Sequence, residues 1–123
     1  MALVAKFLTA LVAVEHVYIL LLEMFLWTRP AGRKAFRLTA EQAEMTKVMA
    51  ANQGLYNGFL AAGLFWSLLH PDGAVGFQLA LFFLGCVLVA ALYGGMTASR
   101  RILVIQGAPA LAALIFVLLT GFR

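Results

Sequence analysis

The sequence predicts an all-α membrane protein, a four-transmembrane-helix antiparallel bundle with the N-terminus and the C-terminus on the side away from the cytoplasm. Three observations carry that expectation. The 123 residues are 64% hydrophobic and 11% charged, with a mean hydropathy of +0.98, whereas soluble domains are roughly half apolar and about a quarter charged. The apolar residues fall into four stretches, each close to the 20 or so residues a helix needs to cross a bilayer. The basic residues gather in alternate connections between those stretches. So little chain is left outside lipid that residues 1–123 are expected to form a single transmembrane domain.

The first span is expected over about residues 2–28. Lys6 ahead of an apolar run resembles the start of a signal peptide, but Glu15 and His16 interrupt the run, it continues to Trp27, and no cleavage site stands out, so a retained span is expected. The Arg29-Pro30 step with Gly32 ends it, because proline disfavours helix in the residue before it. A second helix begins at Thr39, whose side chain caps the backbone while Gln42 reaches back, and Glu41 and Glu44 suit the positive end of the helix dipole. Residues 40–47 are expected at the membrane surface and about 48–69 within lipid. His70-Pro71-Asp72-Gly73 then reads as a tight turn. The third span runs over about 75–93, with Gly94 and Gly95 loosening its end, and the fourth over about 102–122. Pro109 is expected to bend the fourth and free a backbone carbonyl one turn earlier.

Orientation follows from charge. Arg29, Arg33, Lys34 and Arg37 lie in the first loop with Lys47 just beyond, and Arg100 and Arg101 lie in the third, against Lys6 and Arg123 elsewhere and no basic residue in the second loop. Short cytoplasmic loops carry the excess of lysine and arginine, so the first and third loops are placed in the cytoplasm. The same placement accounts for the net charge of +4 without a nucleic-acid partner, since the basic residues flank apolar spans and are not interleaved with surface aromatics. Cys86 sits in an apolar run as the only cysteine; no intramolecular disulfide is possible, and it reads as packing.

Function is sought among polar residues that lipid disfavours. An ionised carboxylate at the position of Glu15, near mid-span, costs on the order of 3 kcal/mol. At about 100° per residue, Glu15, His16, Ile19, Glu23 and Trp27 share an arc of roughly 120°. On the second span Asn52, Gln53, Tyr56 and Asn57 share an arc of about 140°, with Gly54 and Gly58 on the opposite side. Counting depth from the cytoplasmic ends, at about 1.5 Å per residue, sets Glu23 level with Asn52 and Gln53, and His16 level with Tyr56 and Asn57. The two stripes are expected to face each other around a pocket that opens inward. Gln78, Gly85, Val89 and Tyr93 form a weaker line on the third span, and Gln106 lies about one turn inside the cytoplasmic surface. Gly54-x-x-x-Gly58, extended by Ala50 and Ala62, is a close-packing face that suits either a subunit interface or packing within one bundle.

Several chemistries are excluded or disfavoured. His16, Glu15 and Glu23 are suitable metal-ligand types, but they lack the Glu-x-x-His pairing of bundle di-metal sites, and no metal is expected. Haem bound by two histidines fails because His70 lies at the far surface. No Walker, Rossmann or serine-nucleophile motif is present, and no cofactor is expected.

Glu15-His16-Val17-Tyr18-Ile19, Glu23-Met24-Phe25-Leu26-Trp27 and, above all, the run Ala51-Asn52-Gln53-Gly54-Leu55-Tyr56-Asn57-Gly58-Phe59-Leu60-Ala61-Ala62-Gly63-Leu64 closely resemble a bacterial family of small membrane proteins. That family is the domain of unknown function thirteen-oh-four, sometimes labelled epimerase. The resemblance covers essentially the whole chain. It implies a four-helix inner-membrane protein and supplies no activity.

Two functional classes and one structural reading remain open. The pocket binds or transports a small or lipid-like solute, with Glu15 as protonatable group, His16 and Glu23 as its partners, Asn52, Gln53, Tyr56 and Asn57 as orienting groups, and Trp27, Tyr93 and Gln106 completing the lining. The layout, with an acid in helix one, resembles small four-helix multidrug exporters, and a homodimer or higher homo-oligomer is expected in that case. Alternatively Glu15 or Glu23 and His16 serve as acid and base of a membrane-embedded, isomerase-like enzyme acting on a lipid or isoprenoid-like substrate. In the structural reading the same groups are a buried polar network that locks helices together.

Overall fold

A computed structural model describes residues 2–122; Arg123, which the charge count set on the outer side, lies outside the described residues. The described chain is all-helical. α1 spans Ala2–Met24, α2 Pro30–Phe36, α3 Ala40–Leu69 and α4 Gly73–Thr97. α5 runs over Arg100–Thr120, with a π-helical turn at Leu103–Gly107 inside it. α1, α4 and α5 are long and apolar enough to cross a membrane, which gives a membrane protein in class. α3 is long enough, since 30 residues at about 1.5 Å each exceed the roughly 30 Å hydrocarbon core. It is less apolar, however, because Glu41, Glu44 and Lys47 crowd its first turns and Asn52, Gln53 and Asn57 its middle.

Local chemistry explains most of the boundaries. α1 ends earlier than the expected residue 28: the amides of Phe25 and Leu26 both reach the carbonyl of Leu21, at 3.0 and 3.1 Å, and Arg29 is extended (φ −84°, ψ 163°) ahead of Pro30, as a residue before proline prefers. The segment after it is not a simple loop. Pro30 opens α2 at a position whose missing N–H leaves no bond unmade, and Arg37 closes it in a left-handed conformation (φ 55°, ψ 49°). Gly32 is required between them, because a Cβ there would stand 2.1 Å from the Leu26 carbonyl oxygen.

The expected capping box opens α3: the Thr39 amide donates to Gln42 Oε1 at 3.0 Å and the Gln42 amide to Thr39 Oγ1 at 3.1 Å. The tight turn after α3 also forms, with Asp72 Oδ1 accepting from the amides of Ala74 and Val75 and His70 Nδ1 accepting from the amide of Asp72. α4 continues past residue 93, so Gly94 and Gly95 do not loosen it. They lie against Ile102 and Leu103 instead, and the glycines serve close approach to α5. Ahead of Pro109, which has no amide to donate, α5 widens into the π turn, a common response to a broken i→i−4 ladder.

The described chain divides into two compact units, one formed by α1 up to Val14 together with the chain from Leu60 onward, the other by Glu15–Phe59. The first unit has one apolar core in which Ala5, Val12 and Ala13 of α1, Leu64 of α3, Ala80, Leu84 and Val87 of α4, and Ala110, Ala113 and Val117 of α5 are completely buried. Small residues dominate it, which lets helix backbones approach closely where apolar attraction between helices is weak. Its buried hydroxyls are satisfied within their own helices: Thr9 Oγ1 donates to the Ala5 carbonyl and Ser67 Oγ to that of Leu64. The outer surface carries large apolar side chains, among them Leu3, Phe7, Phe82, Leu118 and Leu119, as a lipid-facing surface requires. The second unit holds the last turns of α1, all of α2 and the first two-thirds of α3, and it contains most of the candidate residues.

Candidate functional site

Within the second unit, α1 presents His16, Ile19 and Glu23 on one buried face; His16 and Glu23 are each 1% exposed. α3 meets that face across its glycines. A Cβ at Gly54 would stand 2.7 Å from Met24 Cγ and 3.0 Å from Glu23 Cβ, and one at Gly58 would stand 2.6 Å from Leu20 Cδ1. The Gly-x-x-x-Gly face is therefore occupied by α1 of the same chain.

That contact turns the polar arc of α3 relative to the sequence expectation. With the glycines on the contact, Gln53 and Asn57 lie at its edge and reach Glu23: Gln53 Nε2 donates to Oε2 at 2.9 Å and Asn57 Nδ2 to Oε1 at 2.5 Å. Both carboxylate oxygens are thus met by amide donors, as a buried carboxyl group requires. Asn52 and Tyr56 turn the other way. Asn52 is exposed and Tyr56 is 59% exposed, its ring edge-on to Phe59. The expectation that all four residues face α1 with the glycines behind them is corrected on this point: helical spacing defines the polar arc, but the need for small residues at the closest approach decides which edge of it points inward. The depth count pairs Glu23 with Gln53 as expected, whereas Asn57 also joins Glu23.

Glu15 stands at the border of the α1 stripe, half-buried, with Oε1 buried and lacking a hydrogen-bond partner. The amides expected to orient Glu15 serve Glu23. Among the described residues no three His, Cys, Asp or Glu side chains cluster closely enough to hold a metal ion, so Glu15, His16 and Glu23 do not converge on one point.

Trp27 lies beyond the end of α1. Its indole Nε1 donates to Thr46 Oγ1 at 3.0 Å, and its ring packs 4.7 Å from that of Phe36. Beside it an open cleft of about 340 Å³ is lined by Glu23, Met24, Phe25, Trp27, Thr28, Lys47, Val48 and Ala51. Lys47 is ion-paired with Glu44. Sequence reasoning missed Thr46, Thr28 and Lys47; an indole N–H near the membrane boundary, which needs an acceptor when partly buried, was the available signal for Thr46.

Tyr93 and Gln106 belong to the first unit. Tyr93 is 70% exposed on an outward strip of α4 with Gly85, Cys86 and Val89, and a Cβ at Gly85 would meet nothing within 4 Å. The weak line on the third span is therefore an outer surface, and Tyr93 does not turn inward. Gln106 is half-buried in the π turn.

Fold and site together define an all-helical membrane protein whose second unit buries one carboxylate between two amide donors. The chain belongs to the family described as Protein of unknown function (DUF1304), which it matches over residues 10–118. It is also 31% identical over 117 residues to "Uncharacterized protein YpaA" of Lactococcus lactis subsp. lactis (strain IL1403), an alignment that covers 94% of this chain and 97% of that one. No solved structure matches it.

Proposed function

We propose that this protein crosses the bacterial inner membrane four times, with α3 as the fourth crossing helix, and binds a small or lipid-like solute next to Glu23, entering from the cytoplasmic end. Support for four crossings comes from the length of α3 and from the alternation of basic and non-basic connections. The observation that carries the binding reading is that Glu23, held on both oxygens by Gln53 and Asn57, also lines the open cleft with Phe25, Trp27, Met24 and Val48. An acid held in place beside aromatic and apolar walls complements an amphipathic organic cation. Lys47 on the same cleft has its charge met by Glu44 and so opposes such a ligand little. Glu23 thus takes the role of the protonatable group, with Gln53 and Asn57 as its orienting partners.

A second reading is supported by the burial of Glu23 at 1% exposure: the carboxylate and its two amides lock α1 to α3 and bind nothing. Titration of the purified protein with tetraphenylphosphonium, a lipid-soluble cation, separates the two. The binding reading expects saturable binding that Glu23→Gln abolishes and the outward Asn52→Leu leaves unchanged. Binding that survives in a folded Glu23→Gln variant contradicts it. Absence of binding to the wild-type protein, combined with a loss of thermal stability in Glu23→Gln, supports the lock.

A further inference from the structure

Among the described residues, two buried side-chain polar atoms lack a hydrogen-bond partner: Glu15 Oε1 and Arg33 Nε. The second lies on α2, at the end of α1. We infer that α2 carries a binding site for an anionic phosphate group, of the kind a phospholipid headgroup or free phosphate presents, built on Arg33 and Lys34.

Four observations converge on it. A cleft of about 340 Å³ is lined by Pro30, Arg33, Lys34 and Leu38, so two cations share it with two apolar walls. From Met24 to Ala40 the sequence holds four basic residues, Arg29, Arg33, Lys34 and Arg37, and no acidic one; the cleft has no carboxylate in its lining to neutralise the pair. The Arg33 Nε–H is a donor withdrawn from water with no acceptor, a state that folded proteins rarely leave uncorrected, and a guanidinium offers its N–H groups as a fork that matches phosphoryl oxygens. The scaffold is also fixed: Gly32 brings α2 within contact of the Leu26 carbonyl, and the Leu38 amide donates to the Arg33 carbonyl at 2.9 Å, which holds the two ends of the cleft together.

The orientation rule for basic loops explains why cations stand on this side of the membrane. It does not explain a buried, unanswered Nε–H or a cleft that apolar Pro30 and Leu38 wall. Both features fit an anionic lipid, whose phosphate meets the cations while the start of its acyl chains rests on apolar surface, in the leaflet where anionic lipids concentrate.

The test is native mass spectrometry of the delipidated full-length protein in detergent, titrated with phosphatidylglycerol, with phosphatidylcholine and with phosphatidylglycerol in the presence of inorganic phosphate. Wild-type protein is expected to retain phosphatidylglycerol over phosphatidylcholine. Arg33→Gln should weaken that retention about tenfold, the size of one hydrogen bond between charged groups, and Lys34→Gln should weaken it by less. Displacement of the lipid by inorganic phosphate would assign the cleft to the phosphate group itself, and resistance to displacement to the whole headgroup. Arg100→Gln, which removes a charge from the other basic segment, should retain the lipid as wild type does. Undiminished retention in Arg33→Gln, or an equal loss in Arg100→Gln, overturns the inference, because either result reduces the effect to diffuse charge.

Discussion

Gln53 Nε2 stands 2.9 Å from Glu23 Oε2, joining side chains 30 residues apart in the chain, and Asn57 takes the other oxygen of the same carboxylate. These bonds mark which edge of α3 faces α1, and the response of the protein to substitution at positions 52, 54 and 57 depends on that choice of edge.

Replacing Asn57 by Leu leaves Glu23 Oε1 buried without its donor, whereas replacing Asn52 by Leu alters an exposed position. Asn57→Leu is expected to destabilise the protein by about 1–3 kcal/mol, the cost of a buried polar group left unpaired, and Asn52→Leu by less than about 0.5 kcal/mol. Thermal unfolding in detergent, followed by circular dichroism, compares them; equal effects would mean the two positions are not distinguished.

Two glycines respond in opposite ways. Gly54→Val places atoms where Met24 Cγ and Glu23 Cβ already lie, and overpacking of that kind costs about 1–3 kcal/mol. At Gly85 an added methyl meets nothing within 4 Å, so Gly85→Ala should stabilise α4 by about 0.5–1 kcal/mol through helix propensity. The same unfolding measurement reads both signs.

Trp27 and Thr46 form a single donor–acceptor pair, so a double-mutant cycle isolates it. Trp27→Phe and Thr46→Val should each destabilise, with a coupling of about 0.5–1.5 kcal/mol. A coupling of zero would place the indole N–H elsewhere.

Orientation is tested by labelling. In a Cys86→Ala background, Gly73→Cys at the first residue of α4 should react with a membrane-impermeant maleimide added to intact cells, and Lys34→Cys on α2 should react only after the membrane is opened. The reverse pattern would invert the topology.

Features governed by neighbours in sequence were legible before the fold was known. Thr39 and Gln42 announce the start of α3, and His70 to Gly73 the turn after it, because each motif closes its own hydrogen bonds within four residues. The acid at position 23 and an amide at position 53 were also matched in depth, since helical rise alone sets that count. The rotation of α3 was not legible. Asn52, Gln53, Tyr56 and Asn57 form one polar arc, and only the close approach of Gly54 and Gly58 to Leu20, Glu23 and Met24 selects Gln53 and Asn57. α2 was hidden for a related reason: Pro30 signals the end of one helix and the first residue of another equally well, and the contact of Gly32 with Leu26 that holds the second one is tertiary.

The most direct test is a solid-state NMR measurement, in lipid bilayers, of the distance from Glu23 Cδ to the side-chain amide nitrogens of selectively labelled asparagine and glutamine. Contacts within about 4 Å, the reach of a hydrogen bond to a carboxylate, are expected for Gln53 and Asn57, with none for Asn52. A Glu23 contact to Asn52 in place of Asn57, or no amide contact at all, would contradict the arrangement on which the proposed site rests.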